Sequence, residues 1–388
     1  MKKLNTYLKE GSTIAHDSPV WSYLAPWLIL IGMAENSLAL IVLSKKPFAR
    51  LPSRITLMTL AVVDCLVLFF GLTTYWINTV FETSPAEWSE HWCKTLGFLT
   101  MTLSHMSSCL VALLSVERFF AVYRPNRRSR PSFDLVGTLV ILFICTAVDL
   151  AQIPFINLKM NLNSTSGEGN IEPGIFTERH TYICTYTYEE EAFFIDIIDM
   201  LLLFGLPFTV ILFCNFYIIY VIRTFTQSIK NLKRAVPHQP EINNLANKRV
   251  YPMSPEETSL SGSQKFSVRD SPERKTNPFW NALCGDTAGK HVRQMKTTIM
   301  LLWITFVFLI FNLPFAVVHL LRSIPQMPVT REMMLVWLGT YILVYVHNCL
   351  NFPIYVVTHS GFRTELKHML CRTKPKSTIS TTGLETRA

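Results

Sequence analysis

Residues Cys93 to Pro125 read CKTLGFLTMTLSHMSSCLVALLSVERFFAVYRP. Almost every position is apolar or small, and a helix of this length crosses a bilayer. The strong charges, Glu117 and Arg118, come at its end, beside Phe119 and Phe120. A charged pair at the edge of a hydrophobic span is costly unless its members face each other, a polar cavity or water. Taken alone, the pair also fits a helix end carrying a surface ion pair. Cys93 stands at the opposite end, where a second cysteine could clamp the helix.

The rest of the chain has the same character. Of 388 residues, 49% are hydrophobic and 16% charged, against about 25% charged in an ordinary soluble domain. Several segments therefore have their charges stripped out, which is a membrane composition. The net charge of +9 is unevenly spread. Lys45, Lys46, Arg50 and Arg54 lie between the first two apolar spans, Arg124 to Arg130 follow the third, and Arg363 to Lys376 follow the last. Basic connections mark the cytoplasmic side, so the excess charge reports topology and gives no reason to infer nucleic-acid binding. Residues 1–17 are polar and lack a signal-peptide core, so the first span is expected to act as the insertion signal. Five cysteines (65, 109, 145, 214 and 349) fall inside apolar spans and read as core residues, whereas Cys93 and Cys184 fall outside, in an oxidising compartment.

The expected organisation is a tail over 1–20, five spans and their loops over 21–225, and a connection over 226–295. Two further spans follow over 296–358, then an amphipathic segment over 359–371 and a tail over 372–388. Glu35 and Asn36 lie within the first span and Asp64 within the second, at depths where polar groups usually face the bundle. The loop over 157–191 carries the sequon Asn163-Ser164-Thr165, a glycosylation candidate if it faces outside. The stretch 226–293 is rich in Pro, Ser, Asn and Lys and is expected to be largely disordered. Gly361 to Cys371 places Phe362, Leu366, Met369 and Leu370 on one face, as a helix lying on a membrane surface would. Cys371 is a palmitoylation candidate.

Taken in order, these motifs resemble rhodopsin-like G-protein-coupled receptors. Glu117-Arg118-Phe119 is similar to the family's Asp/Glu-Arg-Tyr, at the family's spacing from Cys93. Leu60 to Asp64 gives its second-helix motif, and Asn36, Pro154 and Pro207 fall in place. Phe311-Asn312-Leu313-Pro314 keeps the proline of CWxP but replaces the tryptophan. Asn351-Phe352-Pro353-Ile354-Tyr355 keeps the Asn and Tyr of NPxxY with the proline moved one place. The fourth span lacks the usual tryptophan, and Asn215 stands where a tyrosine is common. The variants look most like invertebrate neuropeptide receptors of the FMRFamide-receptor kind.

The resemblance implies an all-α membrane protein, a seven-transmembrane helix bundle with a short amphipathic eighth helix. It is expected in the plasma membrane with its N-terminus outside and C-terminus in the cytoplasm. A Cys93–Cys184 disulfide is implied, as is a G-protein switch built from Glu117, Arg118, Asn351 and Tyr355. Arg118 would be held by Glu117 at rest and freed to meet a G protein. Asp64, Ser107, Asn348 and Asn351 match positions that hold a sodium ion, with Asn36 and Asn312 adding polar groups. A water-filled network without an ion fits the same residues. Implied partners are a heterotrimeric G protein, arrestin, receptor kinases and membrane lipids.

The ligand class is narrowed by residue type. Thr100 stands where amine receptors carry an aspartate, and Tyr345 lies near the place where opsins carry a lysine. Tyr75, Trp76, Ser104 and His105 supply one aromatic and polar side of the outer half. Phe315, His319, Tyr341 and Tyr345 supply the other. Glu189, Glu190, Glu191, Asp196 and Asp199 make an acidic mouth that would attract a short basic peptide. They would equally solvate the rim. A lipid or other non-peptide ligand, a constitutively active receptor, and a seven-helix transporter or channel are the other readings. No internal repeat favours the transporter. No phosphate loop, CxxC or HExxH points to an enzyme or metal centre.

Overall fold

A computed structural model describes residues 19–49, 51, 53–81, 83–123, 131–161, 181–187, 189–235, 286–322 and 330–371. It divides into two units, Met1–Ile218 with Lys296–Ala388, and Ile219–Met295. The first unit holds the bundle. Its helices are α1 (Pro19–Ser44), α2 (Arg54–Phe81), α3 (Glu90–Tyr123) and α4 (Pro131–Leu150). After a hairpin come α5, which starts at Glu189 and ends at Ala235, and α6 (Asp286–Arg322). The last are α7 (Arg331–Cys349), α8 (Asn351–Thr358) and α9 (Ser360–Leu370). In the second unit, α5 and α6 run beyond the apolar spans, and the stretch between them lies outside the described residues.

Among the described residues, six helices are long and apolar enough to cross a membrane, and α7 with α8 makes a seventh bent by 47°. The bend has a local cause. Pro353 has no N–H to give the carbonyl of Cys349, one turn back, and its ring crowds that carbonyl. Two other spans are eased by π-turns, Val67–Leu72 in α2 and Leu201–Gly205 in α5, the latter just before Pro207. The core is built from Leu57, Leu60 and Leu68 on α2, Leu110 and Leu114 on α3, Ile211 on α5, and Ile304 and Phe308 on α6. Large apolar side chains such as Trp27, Phe143 and Phe213 point outward, the arrangement a lipid-facing surface requires. Gly32 lets α1 close on its neighbours, because a Cβ there would lie 2.5 Å from both Cys349 Sγ and Leu68 Cδ1.

The segment read from sequence as a loop over 157–191 contains an antiparallel hairpin. Strands β1 (Ile156–Asn161) and β2 (Thr181–Tyr186) pair with Leu158 opposite Cys184. Tyr182, Ile183, Thr185 and Tyr186 are the aromatic and β-branched residues that favour a strand. Cys184 is bonded to Cys93 at the start of α3 (Cα–Cα 5.5 Å), so the hairpin sits at that end of the bundle. At the other end, α9 buries Phe362 against Phe48, Phe352 and Tyr355. Leu366 and Met369 are partly buried on the same side, but Leu370, expected on that face, is 72% exposed. His359 caps α9 by accepting from Phe362 N at 3.1 Å.

Candidate functional site

Three polar layers stack along α3. The middle one centres on Asp64, which is fully buried. Ser107 Oγ donates to its Oδ1 at 2.8 Å and Asn351 Nδ2 to its Oδ2 at 2.7 Å. Asn36 ties α1 to α7 by donating to the Asn348 carbonyl at 2.9 Å, and also donates to Gly32 in its own helix. The side-chain oxygens of Asn36 and Asn348 are buried without a hydrogen-bond partner. Asn312, expected in this network, gives its amide to Phe308 of its own helix at 2.9 Å.

The layer at the α9 end holds the charged pair. Arg118 is 2% exposed and donates from Nη2 to Ser53 Oγ at 2.5 Å. Glu117 accepts from Thr56 Oγ1 at 2.9 Å. The expected Glu117–Arg118 ion pair is thus replaced by two contacts to the start of α2. Adjacent residues on a helix point about 100° apart, so each side chain finds its own neighbour. Thr56 is also bonded to Asp134 Oδ1 at 2.6 Å and lies 3.0 Å from Thr138 Oγ1. Asp134 further accepts from the backbone N–H groups of Ile55 and Thr56 at 2.9 and 3.0 Å. It therefore caps α2 from the first turn of α4, satisfying donors that have no partner within their own helix. The Tyr355 hydroxyl is buried and unpaired, with its ring on Phe362.

The third layer opens into a cavity of about 220 Å³ at the hairpin end. Of the sequence candidates, Thr100, Ser104, His105, Asp199, Phe315, His319, Tyr341 and Tyr345 line it. Tyr341 stacks on Trp337, meets Tyr75 edge-on and shares a 2.8 Å hydrogen bond with Tyr345. Tyr75 thus buttresses the wall, while Trp76 turns toward α1 and donates to the Ser22 carbonyl at 3.1 Å. Ser107, Asn312, His347 and Asn348 form the floor, so the cavity reaches the Asp64 layer. The backbone of Glu189, Glu190 and Glu191 opens α5, but their side chains lie outside the described residues, as does Asn163. Cys371 is exposed just after α9.

One cavity-side group was missed from sequence. Asp149 on α4 is buried and meets His105 Nδ1 at 3.0 and 3.2 Å. An aspartate near the end of an apolar span was the available signal. Tyr186 of the hairpin lies over this group. Burial, then the charges of Asp199 and Asp196, push its phenol well above the ordinary range.

Comparison with known proteins agrees with this layout. A 124-residue segment is 23% identical to the allatostatin-A receptor of Bombyx mori, covering 31% of this chain and 34% of that protein. A 136-residue segment is 28% identical to a neuromedin U receptor homolog of Caenorhabditis elegans, covering 34% of each. The B2 bradykinin receptor of Cavia porcellus is 25% identical over 229 residues, 57% of this chain and 58% of that one. The chain therefore spans about a third of the first two relatives and somewhat over half of the third. The pattern of the 7 transmembrane receptor (rhodopsin family) matches residues 35–355. That match includes Asn36, Asp64, the disulfide cysteines, Arg118 and Tyr355, and the chain belongs to the rhodopsin family of seven-transmembrane receptors.

Proposed function

We propose that this receptor binds a short peptide in the hairpin-end cavity and activates heterotrimeric G proteins from its α9 end. The observation that carries the reading is the continuity of the cavity. Thr100 and Asp199 line its upper part, and Ser107 and Asn348 belong to the polar floor. A ligand that fits one arrangement of this floor better than another shifts the balance between them. Arg118, buried with Nε and Nη1 unpaired, has free donors for a partner in the alternative arrangement. The names of the similar proteins, receptors for allatostatin-A, neuromedin U and bradykinin, support a peptide ligand. The acidic start of α5 favours a basic one.

The hairpin end, the disulfide and Asn163 would face outside, and α9 would lie on the inner leaflet, anchored by a lipid on Cys371. The buried oxygens of Asp64, Ser107, Asn36 and Asn348 are the hard donors that suit sodium. Sodium there would favour the resting arrangement. Arrestin and receptor kinases would act at the cytoplasmic end.

The test is expression with a promiscuous G protein and a calcium reporter, screened with a library of short amidated peptides. A response lost on Asp199→Asn, with surface expression retained, supports a peptide bound in this cavity. Silence across the library, with basal signalling above that of untransfected cells, would replace the peptide reading with a constitutive receptor.

A further inference from the structure

We propose that His105 and Asp199 form a zinc-binding site at the hairpin end of the cavity, with Asp149 as the group that orients the histidine. Three ionisable side chains from three helices converge here. Ligand atoms of His105, Asp149 and Asp199 all lie within 4.8 Å of one another. The side chains of His105 and Asp149 are each 2% exposed and that of Asp199 15%.

The two faces of the imidazole differ. Nδ1 is held by both oxygens of Asp149 at 3.0 and 3.2 Å, and Gln152 Nε2 approaches Asp149 Oδ1 at 3.4 Å. With Nδ1–H donating to Asp149, Nε2 is the ring nitrogen that faces Asp199 of α5. A carboxylate behind a histidine is the usual support of a metal-binding imidazole. Nε2 lies 3.5 Å from Asp199 Oδ1, and that oxygen is buried with no hydrogen-bond partner. The separation is long for a hydrogen bond. It matches two corners of a tetrahedral zinc site, which bonds of about 2.0–2.1 Å place about 3.4 Å apart.

Charge favours a cation in the gap. Two carboxylates share one imidazole, and among the described residues no lysine or arginine pairs with either. A buried net negative charge is costly without compensation. Imidazole with carboxylate suits zinc better than calcium or magnesium, which prefer oxygen alone. The cavity leaves the remaining positions to water or to a donor on the bound ligand. The site stands whether or not that ligand is a peptide.

The experiment uses the full-length receptor in lipid nanodiscs, freed of metal with a chelator and dialysed against zinc alone. Wild type is expected to retain about one zinc per receptor at micromolar free metal, and zinc is expected to raise its melting temperature. His105→Gln and Asp199→Asn are each expected to weaken retention at least about a hundredfold. Asp149→Asn leaves both ligands in place and is expected to weaken it about 10–100-fold. Cooperative melting in chelator shows that each variant is folded. Should His105→Gln not fold, Asp199→Asn decides, since its Oδ1 has no hydrogen bond to lose. Wild type that holds no zinc below millimolar metal overturns the assignment. So do folded His105→Gln and Asp199→Asn that hold zinc as wild type does.

Discussion

Ser53 is the residue on which the buried arginine depends. Its φ of 63° is in the left-handed region, where a non-glycine side chain is strained, and its hydroxyl is the hydrogen-bond partner of Arg118. Ser53→Gly removes the hydroxyl and relieves the strain together. A hydrogen bond to a charged group contributes about 1.5–3 kcal/mol. Losing it should therefore free Arg118 and raise basal G-protein activation about tenfold, while relief of about 1–2 kcal/mol of backbone strain keeps the fall in melting temperature small. Lower melting with unchanged basal activity would show Ser53 to be a structural residue only. The chemistry of this layer was legible in part. Glu117 and Arg118 announced themselves as charges at the end of an apolar span. Their partners did not, because which side chain of α2 faces α3 depends on how both helices are rotated. Asp149 escaped for the same reason: only the packing of α4 against α3 brings it to His105.

At the scale of elements, α2 is held by a carboxylate from another helix. Asp134 accepts two first-turn backbone N–H groups and the Thr56 hydroxyl. Asp134→Ala leaves these donors unpaired and is expected to cost about 1–2 kcal/mol, read as a lower melting temperature. Asp134→Asn, which keeps one of the two acceptor oxygens, should cost less. Between α2 and α3, the turn Pro85–Glu87 half-buries Glu87, and burial pushes its carboxyl up to about 6. A raised folded-state value means the native protein holds a proton that the unfolded chain has lost. Stability should therefore fall as pH rises from about 4.5 through 6, and Glu87→Gln should flatten that part of the melting profile. The helices were legible because stripped charge and length are local properties. The strands were harder: β2 shows a β-favouring run, but β1 (INLKMN) has a weak pattern and is defined by its partner.

The whole bundle joins a ligand-sized cavity to a buried arginine through one helix. Of the α3 window long and apolar enough to cross a membrane, 67% is buried, more than in the five other unbroken spans, and all three polar layers touch it. Its sequence therefore carried most of the fold. Pro353, legible as a displaced proline, accompanies the bend between α7 and α8, whereas the two π-turns carry no proline of their own and were not legible. The central claim is that this receptor drives nucleotide exchange through Arg118. It is tested by purified receptor in nanodiscs, mixed with a panel of heterotrimeric G proteins, with the rate of GTP uptake measured for wild type, Ser53→Gly and the double variant Ser53→Gly/Arg118→Ala. Uptake is expected above the receptor-free rate with at least one heterotrimer, raised by Ser53→Gly and abolished when Arg118 is also removed. Uptake that is equally fast without Arg118, or Ser53→Gly receptor that leaves every heterotrimer at its receptor-free rate, would contradict it.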